Sequence, residues 1–456
     1  MNQSPPEAQK NLKYAWFVVG ILMLAYISSF IDRQILSLMV RPIRRDLQIS
    51  DTEMSYLMGI SFALFYTVLG IPIGRWADNY NRKHIITLGI ALWSLMTAFC
   101  GIAANYFQLF LGRVGVGVGE AALTPPAFSM LTDYFPKEKL GLALSVYSMG
   151  IYIGSGLAFL LGGIVVAFTS TEGTVAIPLF GEIYSWQLIF FYIGLPGILI
   201  ALIVMLVVKE PVRKNHYEDS ASATGNQVKK SSFKEVLSYI WQIRQPFLFL
   251  SFGITCISTV GYATAAWIPT YLQRAFEWPM GSIGISYGLI VIVFASGGLA
   301  IGGMVADRLS RRFRDGKMRA IIISPIGLLL LGTFYPFMPS AELTLLCLIP
   351  GAFFQGFPYG AAAAALQQMV PNQMRALSSS IYFFILNLIS MGIGPTAVAL
   401  LTDQFFQDEQ MLGYSLLIVL TTSMTIACVL LYFGIKTYPK GLDHLEKYLA
   451  AEKKAA

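Results

Sequence analysis

The chain has 456 residues, of which 55% are hydrophobic and only 12% are charged. A soluble domain carries about 25% charged residues, so this composition excludes an ordinary water-soluble protein. The formal net charge of +7 does not indicate a nucleic-acid partner, because the basic residues lie mainly in loops between long apolar runs. We therefore expect a multi-pass membrane protein that is surrounded by the lipid bilayer.

Twelve apolar runs are long enough to cross a membrane. About 20 helical residues span ~30 Å of hydrocarbon, and no segment shows the alternation of a membrane β-barrel strand. The sequence therefore predicts an all-α polytopic membrane protein with twelve transmembrane helices. The runs cover residues 14–40, 54–77, 84–104, 107–133, 140–168, 187–208, 246–272, 282–306, 319–338, 342–369, 376–401 and 411–437.

The first run carries two adjacent charges, Asp32 and Arg33. Each charge costs roughly 2.5–3.5 kcal/mol at a bilayer centre on insertion scales, so both need pairing, hydration or a function. The polar residues 1–13 before this run predict no cleavable signal peptide.

Basic residues are unevenly distributed between the two sides of the membrane. Most of the 32 Lys and Arg residues fall on the side of both termini when loops are assigned alternately. The positive-inside rule therefore predicts cytoplasmic termini. We interpret three exceptions after the first run as interfacial arginines that extend to the headgroups. They are Arg41, Arg44 and Arg45, and Arg274 is a fourth basic residue on that side.

A short motif, G-x-x-x-D-x-x-x-R-[KR], follows the second run and again follows the eighth. Repetition between two transmembrane halves is typical of transporters. Glycine permits helix ends to approach closely, and aspartate can accept hydrogen bonds from a helix N-terminus or an arginine. We predict that this motif forms a cytoplasmic gate between the halves. Its residues are Gly74, Asp78, Arg82 and Lys83, and Gly303, Asp307, Arg311 and Arg312.

The fourth run carries the other two intramembrane charges, Arg113 and Glu120. A spacing of seven residues places them on one helix face, about 10.5 Å apart along the axis. They therefore cannot form a tight pair with each other, but they can flank a third group. The run is also rich in glycine, which permits close packing, and Pro125 and Pro126 interrupt its backbone hydrogen bonds.

One long polar stretch, near the middle of the chain, separates six helices from six. The predicted organisation is an N-terminal bundle at 1–208, a cytoplasmic linker at 209–245, a C-terminal bundle at 246–438 and a cytoplasmic tail at 439–456. The tail has leucines at helical spacing and is predicted to form a short amphipathic helix or a solvated extension.

Two six-helix halves, a basic linker and the repeated loop motif resemble the major facilitator superfamily. The stretch from Trp186 through Pro196 to Arg213 resembles helix 6 of that superfamily, although Gln187 departs from its pattern. Within the superfamily, Ile31-Asp32-Arg33 and the segment 112–121 are most similar to the spinster group of lysolipid and sphingolipid transporters. The resemblance covers essentially the whole chain and implies that helices 1 and 4 face each other across a central cavity.

The resemblance assigns proton coupling to Asp32, Arg113 and Glu120. We expect Asp32 to point toward Arg113, with Arg33 near the cavity wall, where it can reach Glu120 or an anionic ligand. A carboxylate near an arginine stays ionised, whereas desolvation favours its protonated form, so alternating access can change its proton affinity. A structural alternative is a buried ion-pair network that only fixes helix 1 against helix 4.

The helices of the second half have no charged residues in their interiors. Together with the charged first half, this pattern predicts a substrate that is charged at one end and apolar or aromatic at the other. The predicted substrate-binding residues are Arg33, Thr259, Tyr262, Trp267, Gln355, Tyr359, Tyr382 and Asn387, with Tyr271 and Gln367 as further candidates.

The leading functional prediction is a proton-coupled secondary transporter for a small amphipathic substrate, lysolipid- or sphingolipid-like, in the cell inner membrane. One alternative of the same fold is an organic-anion or sugar-acid symporter, with Arg113 binding the anion. An alternative from another class is a non-transporting membrane sensor. No phosphate-binding loop or catalytic constellation occurs, so we expect no enzyme activity. The four scattered cysteines predict no metal site, and we expect a monomer without cofactors, energised by the proton gradient.

Overall fold

The computed structural model describes residues 5–168, 173–177, 181–213 and 232–455. Residues 214–231 of the predicted linker therefore lie outside the described residues. Clustering of contacts divides the chain into two compact units. The first unit comprises Met1–Lys214, Ala265–Ile292 and Ala399–Gln410, and the second comprises Asn215–Thr264, Val293–Val398 and Met411–Ala456. The first unit thus includes segments from late in the chain.

Helices make up almost all of the described structure. In chain order the elements are α1 (Pro5–Leu38), α2 (Val40–Leu47), α3 (Asp51–Met58), α4 (Ile60–Asn79), α5 (Arg82–Cys100), α6 (Tyr106–Glu120), α7 (Thr124–Tyr134), α8 (Lys137–Phe168), β1 (Thr174–Ile177), β2 (Gly181–Tyr184), α9 (Gln187–Val207), α10 (Phe233–Gln242), α11 (Arg244–Phe276), α12 (Met280–Ile290), α13 (Ser296–Ser310), α14 (Gly316–Ile321), α15 (Ile323–Leu331), α16 (Ala341–Gly356), α17 (Tyr359–Gln368), α18 (Arg375–Leu400) and α19 (Leu412–Ala455). Two π-helical turns, Val291–Ala295 and Leu401–Phe406, extend α12 and α18.

The predicted all-α transmembrane architecture is confirmed. Within the described residues, 11 helical segments are long and apolar enough to cross a membrane. They match every predicted run except the fourth, which folds as two shorter helices, α6 and α7. The break at 121–123 directly follows Glu120, and Pro125 and Pro126 lie in the first turn of α7. Proline is tolerated there because the first turn has no intrahelical partners for its N–H groups.

A small hairpin, β1–β2, was not predicted. Its strands pair antiparallel, with Thr174 opposite Tyr184 and Ile177 opposite Gly181. Strands of four residues are too short to give a clear periodic signal, and the pattern of flanking helices dominates the sequence. The hairpin precedes α9 and does not alter the predicted helical spans.

Glycine lets α6 pack directly against the backbones of α4 and α5. A Cβ added at Gly117 would lie 2.8 Å from the carbonyl oxygen of Phe62. One added at Gly119 would lie 2.6 Å from the backbone nitrogen of Trp93. Only glycine permits approaches this close. The consequence is that α6, which carries Arg113 and Glu120, is packed tightly against both neighbouring helices.

Close helix crossings also involve α8. A Cβ at Gly154 would lie 3.1 Å from the Cα of Ile27 on α1, and one at Gly163 would lie 2.9 Å from the Cα of Gly284 on α12. The crossing with α12 brings a helix from the second half of the sequence into the first unit. Glycines of α8 therefore permit tight crossings with both α1 and α12.

The C-terminal segment differs from the predicted separate amphipathic helix. Residues after Pro439 continue α19 without a break as far as Ala455. This continuation packs on α10, where the rings of Tyr239 and Tyr448 meet edge to face with centroids 5.4 Å apart. The Tyr239 hydroxyl donates a hydrogen bond to the carbonyl of Met369 at 2.8 Å. Proline within the helix costs one backbone bond, and these contacts hold the extension in place.

Candidate functional site

Arg33 and Glu120 form a buried ion pair between α1 and α6. The Nη2 atom of Arg33 lies 2.5 Å from Oε2 of Glu120, and Nε donates to the same oxygen at 2.6 Å. The Glu120 side chain has no exposed surface, and that of Arg33 is 10% exposed. Glu120 is the last residue of α6, where the helix dipole disfavours a negative charge. The guanidinium of Arg33 compensates for both the burial and the dipole.

Three aromatic rings surround the Arg33 guanidinium. Its Cζ atom lies 4.8 Å from the ring centre of Phe30, 4.6 Å from Phe62 and 4.8 Å from Tyr66. Cation–π contacts of this kind contribute about 2 kcal/mol or more when the cation is desolvated. We call Phe30, Phe62 and Tyr66 the aromatic cage. The cage stabilises the Arg33 guanidinium through cation–π contacts that do not depend on the charge of Glu120.

Arg113 is buried, and within the described residues its hydrogen bonds go to backbone carbonyls rather than to a carboxylate. Its Nη1 donates to the backbone carbonyl of Asp32 at 3.1 Å, and its Nε approaches the carbonyl of Leu57 at 3.4 Å. Arg113 therefore meets α1 at Asp32, as expected, but through the backbone rather than the side chain. Adjacent residues on a helix diverge by about 100°, so Asp32 and Arg33 cannot both face α6 squarely.

The Asp32 carboxylate occupies a buried position beside this pair. Asp32 is 1% exposed, and neither of its carboxylate oxygens accepts a hydrogen bond from the residues that the structure describes. The charged groups that act on it are Glu120, Arg113 and Arg33. A buried carboxylate without hydrogen bonds is costly. We call Asp32, Arg33, Arg113 and Glu120 the buried charge cluster.

Arg82 of the predicted gate is buried within the first unit. It is 1% exposed and forms ion pairs with Asp133 at 2.5 Å and with Glu210 at 2.7 Å. The backbone nitrogen of Lys83 also donates to Glu210 at 3.0 Å. The charge of Arg82 is therefore neutralised by two carboxylates, Asp133 near the end of α7 and Glu210 just after α9. Both carboxylates were absent from the predicted site.

The two glycines of the predicted gate are not closely packed in this conformation. A Cβ at Gly74 would meet only Pro125, at 3.8 Å, and one at Gly303 would meet no atom of the described residues within 4 Å. The close approach that these glycines were expected to permit is thus not seen here. The side chain of Asp78 lies outside the described part of the structure. In the second copy, Asp307, Arg311 and Arg312 are all exposed.

A polar cluster in the second unit gathers two of the predicted substrate-binding residues. The hydroxyls of Ser258 and Tyr359 lie 3.0 Å apart, and Nε2 of Gln355 lies 3.2 Å from the Tyr359 hydroxyl. The same Gln355 nitrogen donates to the carbonyl of Ile257 at 2.9 Å. Ser258 was not predicted, because serine is common in membrane helices and gives no distinctive signal.

The remaining predicted substrate-binding residues occupy varied environments. Trp267 is fully buried in the first unit, so it is a packing residue in this conformation. The Thr259 hydroxyl donates to the carbonyl one turn before it, at 2.8 Å. Tyr382 is 2% exposed, whereas Tyr262 and Asn387 are half-buried. Tyr271 is buried, and Gln367 is exposed.

A second ion-pair network joins segments that are far apart in the sequence. Asp51 binds both Arg274 (2.7 Å) and Arg44 (3.1 Å), and Glu409 also binds both arginines, at 2.8 Å from Arg44 and 3.2 Å from Arg274. We call these four residues the far-side cluster. Arg44 and Asp51 lie near the junction of α2 and α3, Arg274 lies in the last turn of α11, and Glu409 lies between α18 and α19. Burial lowers the pKa of Arg44, but the hydrogen bond with Glu409 and the charge of Asp51 outweigh it and raise that pKa overall. Arg44 therefore pairs with protein carboxylates, which the sequence alone did not indicate.

Comparisons with known proteins point to one family. The model of the Major Facilitator Superfamily matches residues 22–395. An MFS-type efflux pump of Mycolicibacterium smegmatis is 28% identical over 436 residues, which cover 94% of each chain. Protein spinster homolog 1 of Xenopus tropicalis is 27% identical over 86% of this chain and 74% of that protein. A probable L-galactonate transporter of Escherichia coli is 26% identical over 73% of this chain and 71% of that protein.

One solved structure of a spinster homologue is also similar to this chain. The crystal structure of a bacterial homologue of the human lysosomal transporter spinster, in an inward-facing and unoccupied conformation, has a TM-score of 0.75 to this chain. The two chains are 27% identical, and the match covers 98% of this chain and 99% of that one.

Proposed function

The chain belongs to the Major Facilitator Superfamily as a transporter of its spinster group, and we propose that it moves a small amphipathic substrate coupled to protons. It is a transporter and not an enzyme. The observation that carries the proposed coupling is the buried Arg33–Glu120 ion pair, with the Asp32 carboxylate beside it. Two carboxylates and two guanidiniums inside a membrane protein are too costly to persist without a use.

The proposed coupling step is protonation of Glu120. A protonated Glu120 no longer compensates the Arg33 guanidinium, so the ion pair weakens. The aromatic cage still holds Arg33, and the freed guanidinium can bind an anionic group of the substrate. Loss of the proton on the other side of the membrane restores the ion pair and expels that group. Asp32 is the second proton acceptor in this scheme, and Arg113 fixes its position by binding its backbone carbonyl.

An amphipathic substrate agrees with the side chains available. In the first unit, the aromatic cage offers apolar surface next to a charge. Within the second unit, Ser258, Gln355 and Tyr359 offer hydroxyl and amide groups. We propose a lysolipid- or sphingolipid-like molecule, carried by a monomer with cytoplasmic termini in the cell inner membrane. The proton gradient supplies the energy, and no cofactor is required.

The test is transport by purified protein in proteoliposomes that contain a pH-sensitive dye, with a pH gradient imposed. We expect lysophospholipid addition to produce proton flux in the wild type. Asp32→Asn and Glu120→Gln should each abolish the substrate-dependent flux. Glu342→Gln is the matched control, because Glu342 is an exposed carboxylate in the first turn of α16. If both cluster variants transport at the wild-type rate with the wild-type pH dependence, the coupling proposal fails.

A sugar-acid symporter is the second candidate, because the probable L-galactonate transporter of Escherichia coli is among the relatives. In that case Arg113 would bind the substrate carboxylate. The Arg113 hydrogen bonds to the carbonyls of Asp32 and Leu57 would then have to be exchanged for substrate contacts. Competition in the same vesicles separates the candidates: D-glucuronate inhibits a sugar-acid carrier, whereas a lysophospholipid inhibits a lipid carrier. A non-transporting sensor would show no substrate-dependent flux with either.

A further inference from the structure

The far-side cluster borders a cavity of about 420 Å³ in the first unit. This volume is within the usual range for small-molecule sites, roughly 300–1,000 Å³. Four arginines line the cavity, together with several glutamine amides, and the acidic lining residues are Glu277 and Glu409. The lining arginines are Arg41, Arg44, Arg45 and Arg274. Guanidinium and amide groups around one cavity are typical of sites for phosphate or carboxylate groups.

The two carboxylates that neutralise Arg44 and Arg274 are not equivalent. Asp51 has no exposed surface and holds Arg274 with two parallel hydrogen bonds of 2.7 Å each. The Glu409 side chain is 54% exposed and makes one contact with each arginine. Asp51 is therefore a fixed partner, whereas Glu409 is the partner that solvent or a ligand can replace. Without Glu409, two guanidiniums would share a single carboxylate and retain an uncompensated positive charge at the cavity.

The chain turns sharply around this cavity. Gln48 ends α2 with φ 52°, and Glu277 follows α11 with φ 53°. A non-glycine residue in the left-handed region is uncommon and is characteristic of helix C-terminal caps. These two caps bring the ends of α2 and α11 to the same cavity, which both residues line. The site is thus assembled by segments from both halves of the sequence.

We propose that this cavity is an anion-binding site, in which a phosphate or carboxylate group exchanges with the Glu409 side chain for Arg44 and Arg274. The anion has two chemically equivalent sources, a free anion or the headgroup of an acidic lipid. Because Glu409 is tethered beside its arginines, it competes at an effective concentration in the millimolar range. Binding to the wild type is therefore weak, and the proposal predicts that removal of the Glu409 charge strengthens it.

The experiment is titration of the purified full-length protein with inorganic phosphate at constant ionic strength, measured by microscale thermophoresis. Glu409→Gln should bind phosphate at least about tenfold more tightly than the wild type, since the internal competitor is gone. Arg41→Gln should weaken binding several-fold, because Arg41 is exposed and lines the cavity. Arg312→Gln, an exposed arginine outside the cavity, is the charge-matched control and should leave binding unchanged.

Two results would overturn the proposal. One is a Glu409→Gln variant that binds phosphate no more tightly than the wild type. The other is equal weakening by Arg41→Gln and Arg312→Gln, which would show a general charge effect. The same titration in phosphatidylcholine nanodiscs, with and without phosphatidylglycerol, identifies the source. Loss of phosphate binding in the phosphatidylglycerol discs assigns the site to a lipid headgroup, and retention assigns it to a free anion.

Discussion

Replacement of Arg33 by methionine should destabilise the first unit strongly. The substitution keeps an unbranched side chain in the aromatic cage but leaves the Glu120 carboxylate, which has no exposed surface, without its 2.5 Å partner. Removal of one member of a buried pair costs about 3–5 kcal/mol, because the other charge stays buried and uncompensated. Loss of the three cation–π contacts adds to that cost.

A double-mutant cycle separates these contributions. Arg33→Met combined with Glu120→Gln removes both charges, so the double variant should recover most of the loss and lie within about 2 kcal/mol of the wild type. The loss of unfolding free energy that remains in the double variant measures the contribution of the cation–π contacts with the aromatic cage. The stability of Arg33→Lys should lie between that of Arg33→Met and that of the double variant. Lysine keeps the positive charge but loses the planar guanidinium and its two contacts with Glu120.

The measurement is the free energy of unfolding in mixed detergent–SDS micelles, followed by circular dichroism. Arg314→Met is the matched control, because Arg314 pairs with Asp443 and Glu446 while its side chain is 57% exposed. An exposed pair of this kind contributes less than about 1 kcal/mol. An unfolding free energy of Arg33→Met within about 1 kcal/mol of the wild type would contradict a stabilising role of the pair. So would a double variant that is no more stable than Arg33→Met alone.

Three further predictions follow from packing and hydrogen bonding. Gly119→Ala places a Cβ 2.6 Å from a backbone nitrogen of α5 and should cost about 1–3 kcal/mol in the same unfolding assay, whereas Gly20→Ala, with open space around it, should be neutral. Arg82→Gln should cost about 3–5 kcal/mol because two carboxylates lose their partner, and Arg311→Gln, at the equivalent exposed position, should change stability by less than about 0.5 kcal/mol. Tyr359→Phe should cost about 1 kcal/mol of stability through its lost hydroxyl contacts and should raise KM in the transport assay more than it lowers kcat.

Contradictory outcomes are equally specific. Equal effects of the two glycine substitutions would mean that the α5–α6 approach is not tight. A similar loss for both arginine substitutions would mean that the two copies of the motif are equivalent in packing. An unchanged KM for Tyr359→Phe would remove that residue from the proposed substrate contacts.

Much of the architecture could be predicted from local pattern alone. A helix that crosses the membrane must satisfy its own backbone and present about 20 apolar residues to lipid, so each span is encoded within one continuous segment. A charge within an apolar run can be recognised from the sequence whatever the tertiary structure. Four residues were identified in this way: Asp32, Arg33, Arg113 and Glu120. Pro125 and Pro126 also indicated that the helix would be interrupted close to Glu120.

The ion-pair and hydrogen-bond partners of the buried charges could be identified only from the tertiary structure. Sequence spacing excluded a direct Arg113–Glu120 pair and left several possibilities for Asp32 and Arg33. The fold assigned Glu120 to Arg33 and directed Arg113 to a backbone carbonyl, since the rotation of each side chain depends on how α1 packs against α6. Likewise, nothing local indicated that Arg82 would be buried against Asp133 near the end of α7 and Glu210 beyond the end of α9.

The far-side cluster shows most clearly the difference between what the sequence predicts and what the tertiary structure decides. Its members are charged residues in short loops, where the sequence predicts only hydration and contact with headgroups. They are separated by up to hundreds of positions in the chain, and only the packing of helix ends brings Asp51 and Glu409 to the same two arginines. By itself, then, the sequence determined which segments enter the membrane and which buried charges need an explanation, because both follow from the local cost of dehydration. The tertiary structure decided which charges neutralise one another, because ion pairing depends on distances that only the folded chain sets.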